Sequence, residues 1–290
     1  MGAAMLLPDF SENQSKNGIP TPDFAGIKRQ NGGAAIIRVS FGTDHGDFCF
    51  DRNRRAAQRH KYPFLGLYQF IIGDDDIGAQ ARFFCQLVGK LAPNEIPIAD
   101  IEEGSGDQSR RAEKWFGIVD SRLGLSELPL SKRSWLYAGE NFLINQLAGV
   151  RATKRNIWVA AYRSKEPTLD HVLWQSTDGG VNGIHQISWP GAGKCDTNLF
   201  HGTLRQLAAT ISRDDLPYPR KEILKIVQKG VAAELQADLG SEGITFARGA
   251  EAAVHTQQAL ADITQRMDEL RDMLRQAQPD SPGMEHAGTP

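Results

Sequence analysis

From Ala4 to about residue 205 the chain alternates short apolar runs with longer amphipathic segments, and this rhythm limits its fold more than any other feature. The runs are Ala4 to Leu7, Ala34 to Val39, Pro63 to Phe70, Ile96 to Ile101, Ser134 to Ala138, Ile157 to Ala161 and Val172 to Gln175, with weaker ones near Ile184 and Leu199. Apolar runs of about four to eight residues bounded by turn signals read as buried strands. Between them, Asp51 to Lys61, Asp76 to Lys90 and Arg110 to Leu123 carry apolar residues at helical spacing, Phe83, Phe84, Leu87 and Val88 among them. Strands alternating with helices predict βα units around a parallel sheet or barrel. From Ile157 onward the connections are too short for a crossover helix, so the last strands are expected to close the sheet as antiparallel or irregular strands.

A chain of 290 residues can hold one large domain and a smaller appendage. The composition changes at Arg213-Asp214-Asp215-Leu216-Pro217-Tyr218-Pro219, where two prolines and a charge cluster read as a linker. The expected organisation is a barrel over 1–206, a linker over 207–219, a helical segment over 220–278 and a polar, unstructured tail over 279–290. One helix is expected from about Arg220 to Leu239 and another from about Ala250 to Gln278, ended by Pro279. In the second, Leu260, Ile263, Met267, Leu270 and Leu274 alternate three- and four-residue spacings. That spacing fits a coiled-coil seam, which would make the chain a homo-oligomer, and equally a helix packed on its own domain.

The balance of residues excludes several classes. Hydrophobic residues at 40% and charged residues at 23% allow a substantial core and argue against wholesale disorder. A net charge of -2 leaves no footprint for nucleic acid or an anionic membrane. No stretch has the length of a membrane-spanning helix. Cys49, Cys85 and Cys195 form no close-spaced pair, which argues against a disulfide framework or a cysteine zinc site. No metal or cofactor is expected. The first residues lack the cationic and apolar regions of a secretory signal, so export by another route is expected.

The run Ile96-Pro97-Ile98-Ala99-Asp100-Ile101-Glu102 ends in two carboxylates two residues apart. In a strand, positions i and i+2 point to the same face, with Cα atoms roughly 6.6 Å apart. A like charge that close, with partial desolvation, raises the pKa of one member, which then holds a proton as a general acid must. Asp9 after the first strand and Asp196 before the last would join them, since a barrel builds its active site from the ends of separate strands. Each alone is otherwise a cap or turn residue.

These pieces together resemble the glycoside hydrolase family 25 lysozymes, the muramidases of bacteria, fungi and many phage lysis systems. The resemblance runs through eight segments in order: Asp9 with Gln14, Ala35 to Thr43, Gly66-Leu67-Tyr68-Gln69-Phe70, Asp100 with Glu102, Trp135-Leu136-Tyr137, Ile157 to Tyr162, Leu173-Trp174-Gln175, and Asp196 to Phe200. It implies an eight-stranded α/β barrel, a modified TIM-like barrel whose last strands lack helices. It implies cleavage of the β-1,4 bond between N-acetylmuramic acid and N-acetylglucosamine in peptidoglycan. Glu102 would be the general acid, Asp100 would orient the 2-acetamido group or stabilise the oxocarbenium centre, and Asp9 and Asp196 would complete an acidic floor. Tyr68, Tyr137 and Trp174 would face the sugars, Trp158 would be core, and Arg38 would hold a carboxylate beside the substrate.

Two positions depart from the family pattern. Gln69 stands where histidine or an aromatic is common, and Phe41 where an acidic residue is common, which bears on subsites more than on catalysis. Carboxyls about 5 Å apart favour a retaining route and those about 6.5 to 9.5 Å apart an inverting one, and this spacing suits either. Retention assisted by the acetamido group, with Asp100 polarising it, is the favoured expectation. The implied setting is a phage or prophage lysis enzyme, made in the host cytoplasm and reaching the wall through a holin or on the virion. The alternative is a wall-binding or structural virion module with a coiled-coil tail and no hydrolysis, against which the four carboxylates argue.

Overall fold

The computed structural model describes residues 4–18, 22–73 and 75–213. The rest of the expected linker, the expected helices over 220–278 with their seam, and the tail lie outside the described residues. In chain order the strands are β1 (Ala4–Phe10), β2 (Ala34–Phe41), β3 (His45–Gly46), β4 (Phe64–Phe70), β5 (Glu95–Asp100), β6 (Trp135–Gly139), β7 (Ile157–Ala160), β8 (Leu173–Thr177), β9 (Ser188–Trp189), β10 (Gly193–Lys194) and β11 (Thr197–His201). The helices are α1 (Phe24–Asn31), α2 (Phe50–Arg59), α3 (Ile77–Val88), α4 (Ser109–Arg122), α5 (Glu140–Asn145), α6 (Ala148–Arg151) and α7 (Leu204–Ile211).

Eight strands close a barrel in the order β1, β11, β8, β7, β6, β5, β4, β2, with β2 pairing back to β1. From β4 through β8 each neighbour is parallel, as are β1 with β2 and β2 with β4. β11 alone runs antiparallel to both of its neighbours, β1 and β8. No helix intervenes between β7 and β8 or between β8 and β11, where only the short β9–β10 hairpin lies. This is the α/β barrel expected, with helix-poor last strands.

Alternation along each strand divides the core in two. Leu7, Ile36, Phe64, Ile98, Trp135, Trp158, Leu173 and Phe200 pack inside the barrel, while Ile37, Leu65, Leu67, Ala99, Leu136 and Val159 pack outward into a second layer shared with the helices. Gly66 leaves room for its neighbours in the barrel interior, because a Cβ there would lie 2.9 Å from both Ile36 Cγ1 and Ile98 Cδ1. Two residues beyond each interior position, the same face continues to the barrel mouth. Leu7 leads to Asp9, Ile36 to Arg38, Ile98 to Asp100, Trp135 to Tyr137 and Leu173 to Gln175; on the reversed β11, Phe200 leads back to Asn198.

β1 is longer than its apolar run, so Asp9 lies inside the strand and not after it. The boundary expected after residue 206 falls within α7, which opens with a capping box between Thr203 and Gln206. Leu207 and Ile211, one helical turn apart, are fully buried in the barrel cluster, so the first residues expected as linker are folded onto the barrel. All three cysteines are buried and free. Among the described residues no helix is long and apolar enough to cross a membrane.

Candidate active site

The C-terminal ends of the parallel strands and the start of β11 meet at one mouth. Asp100, the last residue of β5, is 4% exposed, and Phe70 and Tyr137 are its register partners on either side. Backbone pairing continues past the strand, since Ile101 N–H donates to Tyr137 O at 3.0 Å. Glu102 follows beyond that pairing and faces solvent. The Asp100 and Glu102 carboxyls hydrogen bond to each other.

Asp9 and Asp196 are held by amides whose orientation other side chains dictate. Gln175 Oε1 accepts hydroxyl bonds from Tyr137 at 2.6 Å and Tyr162 at 2.7 Å. Its NH₂ is thereby turned toward Asp9 Oδ2 at 3.1 Å and Asp196 Oδ2 at 3.2 Å. Asn198 repeats the device: Trp158 Nε1 donates to its Oδ1 at 2.6 Å, and its Nδ2 donates to Asp9 Oδ2 at 2.8 Å. Aromatic donors thus leave each amide able to present only N–H to the carboxylates.

Burial dominates the electrostatics. Desolvation pushes Asp9 up to about 6 against the donors Asn198 and Gln175, and pushes Asp196 up to about 8, with help from the charge of Asp9. Asp100 is raised well above the ordinary carboxylate range by desolvation first and then by the charge of Glu102. Glu102 is raised by desolvation, while the hydrogen bond from Asp100 pulls it down. The sequence pattern assigns the proton to one member without saying which. Of the two, Asp100 is the more deeply buried, and burial favours its protonated form. Tyr68 and Tyr137 are also raised by desolvation and stay neutral donors.

Asp9 and Asp196 bind protons more tightly folded than unfolded, so protonation favours the native state. Stability should fall as pH rises from about 4, the ordinary aspartate value, through about 6 for Asp9 and about 8 for Asp196. Asp196→Asn should therefore raise the Tm above about pH 8 by several degrees, as ~1 kcal/mol corresponds to ~2–4 °C in a domain of this size. Thermal melts across neutral to alkaline pH check this; equal Tm values for parent and variant would show that the carboxylate carries no burial cost.

The structure brings Asp9, Asp100, Glu102, Asp196, Tyr68 and Tyr137 to the mouth. Trp158 is core, 1% exposed. Trp174 is the correction: Gln175 takes the interior face of β8, so Trp174 points to the outer layer, where its Nε1 donates to Ala161 O at 2.8 Å. Tyr162, whose hydroxyl bonds Gln175, does face solvent and is 41% exposed. Arg38 does hold carboxylates, but these are Asp47, at 2.9 Å, and Glu12, at 3.3 Å; from there its charge pulls Asp100 down. Gln69 is not at a subsite. It is fully buried in the outer layer, donating to Gly42 O and Gln80 O and accepting from Trp115 Nε1 at 2.7 Å. Phe41 stacks on Phe70 with ring centres 4.8 Å apart.

Gln175, Asn198 and Tyr162 were missed as functional residues, although all three lie in the segments that carry the family resemblance. Among the described residues, no group of three or more histidine, cysteine or carboxylate side chains is arranged to hold a metal ion.

The sequence model of the glycosyl hydrolases family 25 matches residues 9–184, more than half of the chain. That span includes Asp9, Asp100, Glu102 and Gln175 and ends before Asp196. Among solved structures, a lysozyme from Streptomyces coelicolor is 20% identical with a TM-score of 0.58, over 74% of this chain and 99% of that one. A muramidase from Acremonium alcalophilum is 21% identical with a TM-score of 0.57, over 71% and 98%. The CTP1L endolysin is 17% identical with a TM-score of 0.53, over 71% and 69%. At these identities the structures speak for the fold. No curated protein sequence matches the chain. With the family model spanning three of the four mouth carboxylates and the barrel shared with these lysozymes, the chain belongs to glycosyl hydrolase family 25 and is a glycoside hydrolase.

Proposed function

We propose that the protein hydrolyses peptidoglycan at the β-1,4 bond between N-acetylmuramic acid and N-acetylglucosamine, with Glu102 as general acid and Asp100 assisting. The observation that carries this reading is the pair itself: a solvent-facing carboxyl hydrogen bonded to a buried one at the open end of the barrel. Carboxyls within hydrogen-bond reach of each other are nearer to the spacing of retaining pairs than of inverting pairs, which favours the retaining route.

One proton is shared by the pair while the site is empty. When a 2-acetamido N–H reaches Asp100, it donates to the carboxylate form, and the shared proton passes to Glu102. Glu102 then protonates the leaving oxygen as the glycosidic bond breaks, and the acetamido oxygen, polarised through Asp100, attacks the anomeric carbon. Water opens the resulting ring and returns a proton to Glu102. Above about pH 6 the ionised Asp9 supplies negative potential for the oxocarbenium-like transition state, and Asp196 adds to it only as pH approaches about 8.

Mass analysis of the sugar ends released from purified peptidoglycan tests the reading. A reducing muramic acid end is the expected product. A reducing glucosamine end would reassign the bond, and no release would favour a wall-binding module without hydrolysis.

A further inference from the structure

We propose that a cavity on the rim beside the catalytic mouth binds the peptide carried by muramic acid, so that the enzyme selects peptide-bearing strands over bare glycan. This rests on the muramidase reading and narrows its substrate. The cavity, about 530 Å³, lies between the turn from β6 into α5 and the segment following β7. Its volume suits a short peptide or small molecule.

Its lining is half apolar, with Phe142 and Ala161, and half polar: Asn141 and Asn145 contribute amides, and Glu140 and Arg163 an ion pair at 2.8 Å. The side chains of Asn141 and Asn145 are exposed, and each amide offers a donor and an acceptor, the two groups a peptide bond needs. Arg163 and Glu140 together present opposite charges side by side, the complement of a group bearing both an ammonium and a carboxylate. Diamino acids in wall peptides carry such groups.

The cavity is tied to the catalytic floor. Tyr162 lines it and also donates to Gln175 Oε1, the amide that holds Asp9 and Asp196. Barrel order sets β6 and β7 on one side of β5 and β4 on the other. The Asp100–Glu102 pair is therefore flanked by the apolar Phe41–Phe70 stack on one side and by amides and an ion pair on the other. Sugar C–H faces suit the first flank and a peptide suits the second.

The test compares purified peptidoglycan strands with the same strands stripped of peptide by an amidase, for the parent and for an Asn141→Ala, Arg163→Ala double variant. Two hydrogen bonds at ~1 kcal/mol each predict a parental kcat/KM at least ~10-fold higher on peptide-bearing strands. The double variant should lose most of that preference while its rate on bare strands stays within about twofold of the parent, a margin well below the ~10-fold preference. Equal parental rates on the two substrates, or equal losses in the variant, would overturn the inference and leave the muramidase reading standing. If the parent cleaves neither, that reading falls, and titration of ¹⁵N-labelled protein with a synthetic stem peptide decides the cavity. Shifts of the Asn141 and Asn145 side-chain amides support binding, and their absence excludes it.

Discussion

Glu102→Gln is expected to leave a folded protein with almost no hydrolysis. The amide nearly matches the carboxyl in shape and can still accept the hydrogen bond from Asp100, so packing at the mouth is retained. It has no proton to give the leaving oxygen. General acid catalysis is worth about 10² to 10⁴ in rate, and a sugar hydroxyl is a poor leaving group that depends on it strongly. Because Glu102 faces solvent beyond the last backbone pairing of β5, its replacement should change the Tm little. Turnover of purified peptidoglycan, measured beside a thermal melt, checks both halves. Activity within a few-fold of the parent would end the assignment of Glu102.

Asp100→Asn should also be severe, and its pH profile distinguishes its role from simple damage. In the parent the two carboxyls share a proton, and the basic limb of kcat/KM reports its loss from the pair. With asparagine in place, Glu102 titrates alone, free of a neighbouring negative charge and still accepting an N–H bond, both of which favour its ionised form. The acid form is lost sooner as pH rises, so the basic limb should move down measurably. The rate at the optimum should fall by at least ~10²-fold, through loss of the group that polarises the acetamido oxygen. A basic limb that stays in place would show that the two carboxylates are uncoupled.

The barrel was legible because buried parallel strands leave apolar runs that need no partner to be recognised, and the missing late helices showed as short connections. The four carboxylates were legible as strand ends. Facing was harder. Leu173-Trp174-Gln175 reads as aromatic recognition, but strand alternation gives the interior to only one of two neighbours, and Leu173 and Gln175 take it. Gln69, between Tyr68 and Phe70, is turned outward by the same rule. The roles of Gln175 and Asn198 depend on contacts with Asp9 that span 166 and 189 positions, and nothing local marks an amide for such a task. Which of Asp100 and Glu102 keeps the proton follows from unequal burial, a quantity that the two-residue spacing does not contain.

Antiparallel β11 sets a condition on when the enzyme can work. It joins β1 along Ala4 to Pro8, so the first strand of the barrel waits for the last. Until then Asp9 lacks its Asn198 donor, and β1 and β8 each have an open edge. Closing so long a loop is slow compared with local helix formation. A chain stopped between residues 102 and 198 carries Asp100 and Glu102 but lacks the Asn198 donor that holds Asp9. On the proposed mechanism, hydrolysis of the wall therefore waits for barrel closure.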